Sequence, residues 1–218
     1  MLGKITIWGR KSSVNVQSVL WCLEELNLAF SRIDAGFTYG VVTTPAFLQM
    51  NPNGKVPVLI DGDSPAIFEA GAILRYLATQ YAVGPFWPVA PAARAAVDKW
   101  AEWAKINFAS HFIAGVFWPL VRIPPSRRDY AAVKTALASI EKELAIADKV
   151  LATRAYLAGD YFSLADIQLG HCLFRYFDID MERADLPNLR GYYRELQTRP
   201  GFSQHVMASY EELRVTAG

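Results

Sequence analysis

Three short stretches of this chain bring polar groups and small residues together in ways that suit chemistry. Ser12, Ser13 and Asn15 crowd the point in GRKSSVNVQSVLW where an apolar strand hands over to a helix. Val56-Pro57 heads the apolar run VPVLI, and Glu69-Ala70-Gly71 opens a second helix. A helix N-terminus presents unpaired N–H groups and a partial positive charge, which suits an anion. A Ser13 hydroxyl placed there either caps the helix or stabilises a thiolate brought by a ligand. Lowering a free thiol by two units from pKa ~8.5 takes about 2.7 kcal/mol. A hydroxyl hydrogen bond to charged sulfur contributes ~1.5–3 kcal/mol, and a helix end up to ~2 kcal/mol. Together they suffice.

Pro57 reads two ways. It ends a loop, or it marks a cis peptide of the kind that fixes local geometry. Proline also removes one ladder donor, so the N–H and C=O of Val56 are candidates to face a cleft. Two free main-chain groups at a sheet end suit a peptide-like ligand that pairs with them as a short added strand. Glu69 either complements the dipole of its helix or holds an ammonium. With small residues beside it, the backbone at Ala70 is open to a carboxylate. A ligand with an α-amino acid end satisfies both. The three stretches together suggest a thiol-bearing peptide with an amino-acid end.

The elements that must position these groups follow from periodicity. Lys4–Trp8 reads as a strand and Val14–Leu26 as a helix, its apolar stripe running through Val16, Val19, Leu20, Leu23 and Leu26. Ala29–Ile33 is a second strand. After a polar, turn-rich passage, Val56–Ile60 and Ala66–Phe68 form a hairpin around DGDSP, and a helix runs from Ala70 to about Tyr81. The expected order is β-α-β-β-β-α, a small α/β layer over residues 1–81. AVGPFWPVAP, residues 82–91, holds three prolines and a glycine and reads as a linker. Residues 92–218 read as all-helical: 92–117, then Tyr130–Leu151, a helix opened by Ser163, and short ones over Gly191–Gln197 and Ser203–Leu213. In FSLADI, Ser163 and Asp166 have the spacing of a capping box.

Composition narrows the function classes. The 218 residues are 52% hydrophobic, with 22 basic against 21 acidic side chains. That balance provides no electrostatic footprint for nucleic acid or an anionic membrane. No run approaches the ~18 apolar residues of a membrane span, and MLGKITIWGR lacks a secretory apolar core. Cys22 and Cys172 form no CxxC, and the plain expectation is a cytoplasmic protein with reduced thiols. Both cysteines are expected as small buried hydrophobes. His111, His171 and His205 have no metal-like spacing, so no metal is expected.

SSVNVQSVL after the first strand, NPNGKVPVL, EAGAIL and SLADI, in that order around a linker, resemble the cytosolic glutathione transferases over nearly the whole chain. The resemblance implies a thioredoxin-like N-terminal domain, an all-helical C-terminal domain, a cis Val56–Pro57 bond, glutathione as co-substrate and a homodimer. Ser13 aligns with the thiol-activating hydroxyl of the theta-, phi- and delta-like classes. Asn15 falls where the bacterial nu-like class has an asparagine near the sulfur, and there Ser13 corresponds to a threonine. Lys55 and Val56 match glutathione-contacting positions, while Glu69 and Ala70 match the usual Glu-Ser pair at the γ-glutamyl end. Ala70 departs from that pair, losing one side-chain hydrogen bond worth about 1 kcal/mol.

The second substrate is expected to be an apolar small-molecule electrophile. Phe108, Phe112 and Trp118, in a dense aromatic run, are its candidate pocket wall or else core. Arg10 and Lys11 flank the thiol site and either hold an anionic group or stand solvated. Thiol–disulfide exchange or peroxide reduction at the same site is the alternative activity. A non-catalytic binding or regulatory protein on this fold is the alternative of another class.

Overall fold

The computed structural model describes residues 5–215, so Lys4 of the expected first strand lies outside the described residues. The chain forms two compact units. One runs up to Ala82 and takes in Pro200–Ala208; the other comprises Val83–Arg199 with the chain from Ser209. The 92–218 span expected for the helical domain is therefore interrupted. Phe202, fully buried, sets its ring edge-on against the buried Trp21 at 5.0 Å, which ties its segment to the first unit.

In that unit, β1 (Ile5–Trp8), α1 (Val14–Glu25), β2 (Phe30–Ile33), α2 (Pro45–Met50), β3 (Val58–Asp61), β4 (Ile67–Phe68) and α3 (Ala70–Tyr81) follow one another. The sheet order is β2-β1-β3-β4, with β1 parallel to β2 and antiparallel to β3, and β3 antiparallel to β4. Ile5 and Ile7 are buried on one face of β1, while Trp8 on the other packs against Phe47 of α2. Helices α1 and α3 pack together and close the core with Val16, Val19, Leu23, Ile73, Leu74 and Leu77. Cys22 is sealed there, and burial pushes its thiol far up.

Helix α2 lies in the stretch expected to be irregular. Its start is specified: Thr44 accepts a hydrogen bond from the Phe47 N–H, and Pro45 stands at the first helical position. At six residues it is too short to display a periodic stripe, so only the cap marked it.

The second unit is helical: α4 (Pro91–Trp103), α5 (Trp118–Arg122), α6 (Tyr130–Leu151), α7 (Leu164–Asp178) and α8 (Pro187–Gln197). Between α4 and α5 the chain keeps helical direction but widens into π-type turns over Ala104–Ser110 and Ile113–Phe117. Helix α7 is the buried axis, packed on α4 and α8. Cys172 lies on it, its thiol pushed up to about 12 by burial. Among the described residues no helix is long and apolar enough to cross a membrane.

Asp166, fully buried in the first turn of α7, organises this unit. Its carboxylate accepts from the Ser163 N–H (2.8 Å), the Ser163 hydroxyl (2.9 Å), the Leu157 N–H (2.9 Å) and the Tyr192 hydroxyl (2.8 Å). One side chain thus fixes the α7 start, the preceding loop and α8. Ser163→Ala should cost about 1 kcal/mol as a lost cap. Asp166→Ala, which strands several buried donors, should cost at least about 3 kcal/mol. Urea unfolding of both variants checks this; equal losses would reduce Asp166 to an ordinary cap.

His171, also on α7, is 3% exposed, and its Nδ1 lies 3.2 Å from the Ile167 carbonyl. Burial, with smaller contributions from Arg175 and Lys105, holds its pKa down at about 4 against an ordinary 6.5. A lowered folded-state value means that the unfolded chain takes the proton first. Stability therefore falls as pH drops through about 6.5 toward 4, by about 3 kcal/mol in all from this group. Stability curves measured across that window should be flatter for His171→Gln than for the unaltered chain.

Candidate functional site

The pairing register decides what meets at one end of the sheet. Trp8 is opposite both Ile33 and Val58, and Val58 is opposite Phe68. Beyond this row, β1 leaves toward Ser13, β3 is entered from Pro57, and β4 leaves into Glu69. All three candidate stretches therefore emerge along the same edge of one sheet.

At the first of them, Ser13 occupies the N-cap position of α1 with extended backbone (φ −79°, ψ 118°), yet its side chain accepts no capping hydrogen bond. The residue is 8% exposed, so its hydroxyl is held at the helix mouth without being spent on the helix. Asn15, in the first turn, is exposed. No acidic residue stands in that turn, leaving the positive end of α1 uncompensated. The loop leading there is pinned twice: the buried Gln17 donates to the Lys11 carbonyl at 2.9 Å, and Arg32 donates to the Gly9 carbonyl at 2.8 Å. Sequence reasoning missed both: Gln17 lies inside SSVNVQSVL, but nothing in that run indicates its carbonyl partner, and Arg32 lies in no motif.

The Val56–Pro57 peptide bond is cis, with Pro57 buried and Val56 half-buried. Neither main-chain polar group of Val56 joins a backbone hydrogen bond among the described residues. The turn before it is built by Asn51, 3% exposed, which donates to the Lys55 carbonyl (2.7 Å) and accepts from the Asn53 N–H (3.0 Å). Asn51 was missed too, although the NPNG run carried the side-chain-to-backbone turn signal. The Lys55 side chain is exposed.

Glu69 adopts φ 68°, ψ 115° at the N-cap of α3, an uncommon conformation for a residue with a Cβ, and its carboxylate makes no capping bond. Such strain, ~1–3 kcal/mol, persists where surrounding structure enforces it and is concentrated at functional positions. Glu69 is exposed and Ala70 partly so; the first turn of α3 again has no acidic residue.

Phe108 and Phe112 do not wall a pocket. Both are 0% exposed, stacked on each other at 5.6 Å and set edge-on to Tyr176. They face α7 and are core of the helical unit, where rings of this size find their largest burial. Trp118 is half-buried under the Arg122 guanidinium at 5.1 Å. Arg10 lies over the Phe37 ring at 5.6 Å, so it is stacked rather than freely solvated.

A Cβ on Gly9 (φ 155°) would fall 2.4 Å from Val16 Cγ2 and 3.2 Å from Val56 Cβ. The loop before α1 and the cis-peptide turn can approach only because that position is bare. Gly9→Ala should destabilise by about 1–3 kcal/mol through overpacking. Gly191→Ala, in α8 with open space around it, should stabilise by up to about 1 kcal/mol. Chemical denaturation reads both signs, and a neutral Gly9→Ala would contradict the close approach.

Comparison with known proteins gives a consistent result. The family model described as glutathione S-transferase, N-terminal domain, matches residues 3–79, and the corresponding C-terminal domain model matches residues 108–200. The chain is 39% identical over 204 residues to glutathione S-transferase GstB of Escherichia coli (strain K12), covering 93% of this chain and 98% of that one. It is 32% identical over 214 residues to glutathione S-transferase 3 of Zea mays, covering 95% of each. Among solved structures, the theta class glutathione S-transferase of the citrus canker pathogen Xanthomonas axonopodis pv. citri, with glutathione bound, matches at 42% identity and a TM-score of 0.89, covering 95% of this chain and 99% of that one.

Proposed function

Because the chain belongs to the glutathione S-transferase family, we propose that the sheet edge described above binds glutathione, stabilises its thiolate and directs it at an apolar electrophile. The cysteinyl unit pairs with the open N–H and C=O of Val56 as a short added strand, and Lys55 flanks it. The γ-glutamyl end lies at α3, its carboxylate on the Ala70 N–H and its ammonium against Glu69. Ala70 binds through its backbone alone, which costs about 1 kcal/mol relative to a hydroxyl-bearing residue.

The sulfur then falls at the mouth of α1, where Ser13 donates its hydroxyl and Asn15 its amide. The thiol proton leaves to solvent, and the helix end and the two donors stabilise the thiolate that remains. The sulfur lone pair forms the new C–S bond while the leaving group departs with its electron pair. Holding both reactants in one site supplies the rest of the acceleration. In this reading no metal takes part, the enzyme is cytoplasmic, and it works as a homodimer. The observation that carries the reading is the Ser13 hydroxyl, left uncommitted at an uncompensated helix N-terminus.

Reduction of glutathionyl mixed disulfides at the same site is the second reading. Cys22 and Cys172 are both fully buried with thiols pushed up, so any exchange would run between two glutathione sulfurs and use no protein thiol. Turnover of a chloronitroarene set against that of a hydroxyethyl disulfide distinguishes the two.

Bound glutathione should show thiolate absorbance near neutral pH. Ser13→Ala should raise its apparent pKa by about 1–2 units, from one lost hydrogen bond to a charged group, and lower kcat/KM by about tenfold or more. Asn15→Ala should act in the same direction. Unchanged spectra in both variants would remove the thiol from this position, and failure of glutathione to bind at all would favour a non-catalytic protein.

A further inference from the structure

A cavity of about 240 Å³ lies in the first unit, lined by Lys11, Leu20, Phe30, Arg32, Gln204 and His205 among others. It opens beside β2, which flanks β1 on the side away from β3, and so stands apart from the Val56 and Glu69 anchors. Its polar lining comes from three separate elements: Lys11 from the loop before α1, Arg32 from β2, and Gln204 and His205 from the segment beyond α8. Lysine, arginine and glutamine contribute N–H donors; the carboxylates beside them are Asp34, paired with Arg32, and Glu24, in ion-pair range of His205.

Those donors are incompletely used. Lys11 makes no side-chain hydrogen bond or ion pair among the described residues. His205 Nε2 is buried without a hydrogen-bond partner, Glu24 Oε2 standing 3.8 Å away. Arg32 commits three of its five N–H groups, two to Asp34 and one to the Gly9 carbonyl. Its Nε–H and one Nη2–H remain. The floor is apolar, with Leu20 buried and the Phe30 ring 6.0 Å from His205.

We propose that this cavity binds a small oxyanion of the phosphate type, held by Lys11, Arg32 and His205. A volume below the ~300–1,000 Å³ of drug-sized sites suits a compact ion over a large organic molecule. A planar guanidinium beside an ammonium is the side-chain pairing that recognises phosphate oxygens. The ligand would also bridge the loop that carries Ser13 to the Pro200–Ala208 segment. The proposal does not depend on glutathione binding.

Inorganic phosphate titrated into the ¹⁵N-labelled full-length chain at constant ionic strength, followed by NMR, tests it. Expected are saturating shifts at Lys11, Arg32 and His205. Lys11→Gln and His205→Asn should each weaken the apparent affinity by about tenfold, while Lys149→Gln on the exposed face of α6 leaves it unchanged. Lys11→Gln alters an exposed side chain and should fold normally. Shifts that never saturate, or saturation unaffected by Lys11→Gln, would overturn the proposal.

Discussion

Trp8 opposite Val58, and Val58 opposite Phe68, is the alignment from which the candidate site follows. Val58 and Leu59 are both fully buried on opposite faces of β3, and Val58 packs with Phe47 and Ala35; a slip of one residue would exchange them between two differently shaped cores, so packing holds the register. With the register fixed, two helix mouths and one cis peptide have to emerge along a single edge. Gly9 then sets how closely they approach, because any side chain there would meet Val16 and Val56. The chemistry attributed to Ser13, Val56 and Glu69 is thus a consequence of packing several residues away.

The site is electrostatically spare. Neither α1 nor α3 has an acidic residue in its first turn, and neither N-cap side chain satisfies its own helix. Both helices forgo a cap worth about 1 kcal/mol. By contrast α2 is capped by Thr44, and α7 is capped by the Ser163–Asp166 pair. α6 is likewise capped, by Asp129, whereas α1 and α3 at the sheet edge, like α4, have no side-chain cap.

Much of this was legible in the sequence where a repeating pattern existed. The α3 span Ala70–Tyr81 and the α6 span Tyr130–Leu151 follow from their apolar stripes, and the α7 start follows from SLADI. The cis peptide was implied by family resemblance and only suggested by the proline itself. What escaped was either too short for periodicity, as with α2, or dependent on distant partners. Gln17 and Arg32 hold the loop before α1 through carbonyls that no motif records. Phe108 and Phe112 show the opposite failure. An aromatic run indicates burial, but whether it lines a cavity or fills a core depends on what packs opposite, here Tyr176 of α7. The return of Pro200–Ala208 to the first unit rests on contacts such as Trp21 with Phe202 and Phe30 with His205, between positions about 175–181 residues apart in the chain and likewise invisible to local pattern.

The central claim is that the protein polarises a sulfur it does not itself supply. A crystal structure with glutathione bound tests it most directly. The account predicts the sulfur within hydrogen-bond reach of Ser13 Oγ, with the cysteinyl backbone paired to Val56. A sulfur lying away from the α1 mouth, or a Val56 backbone left unpaired by the ligand, would contradict it.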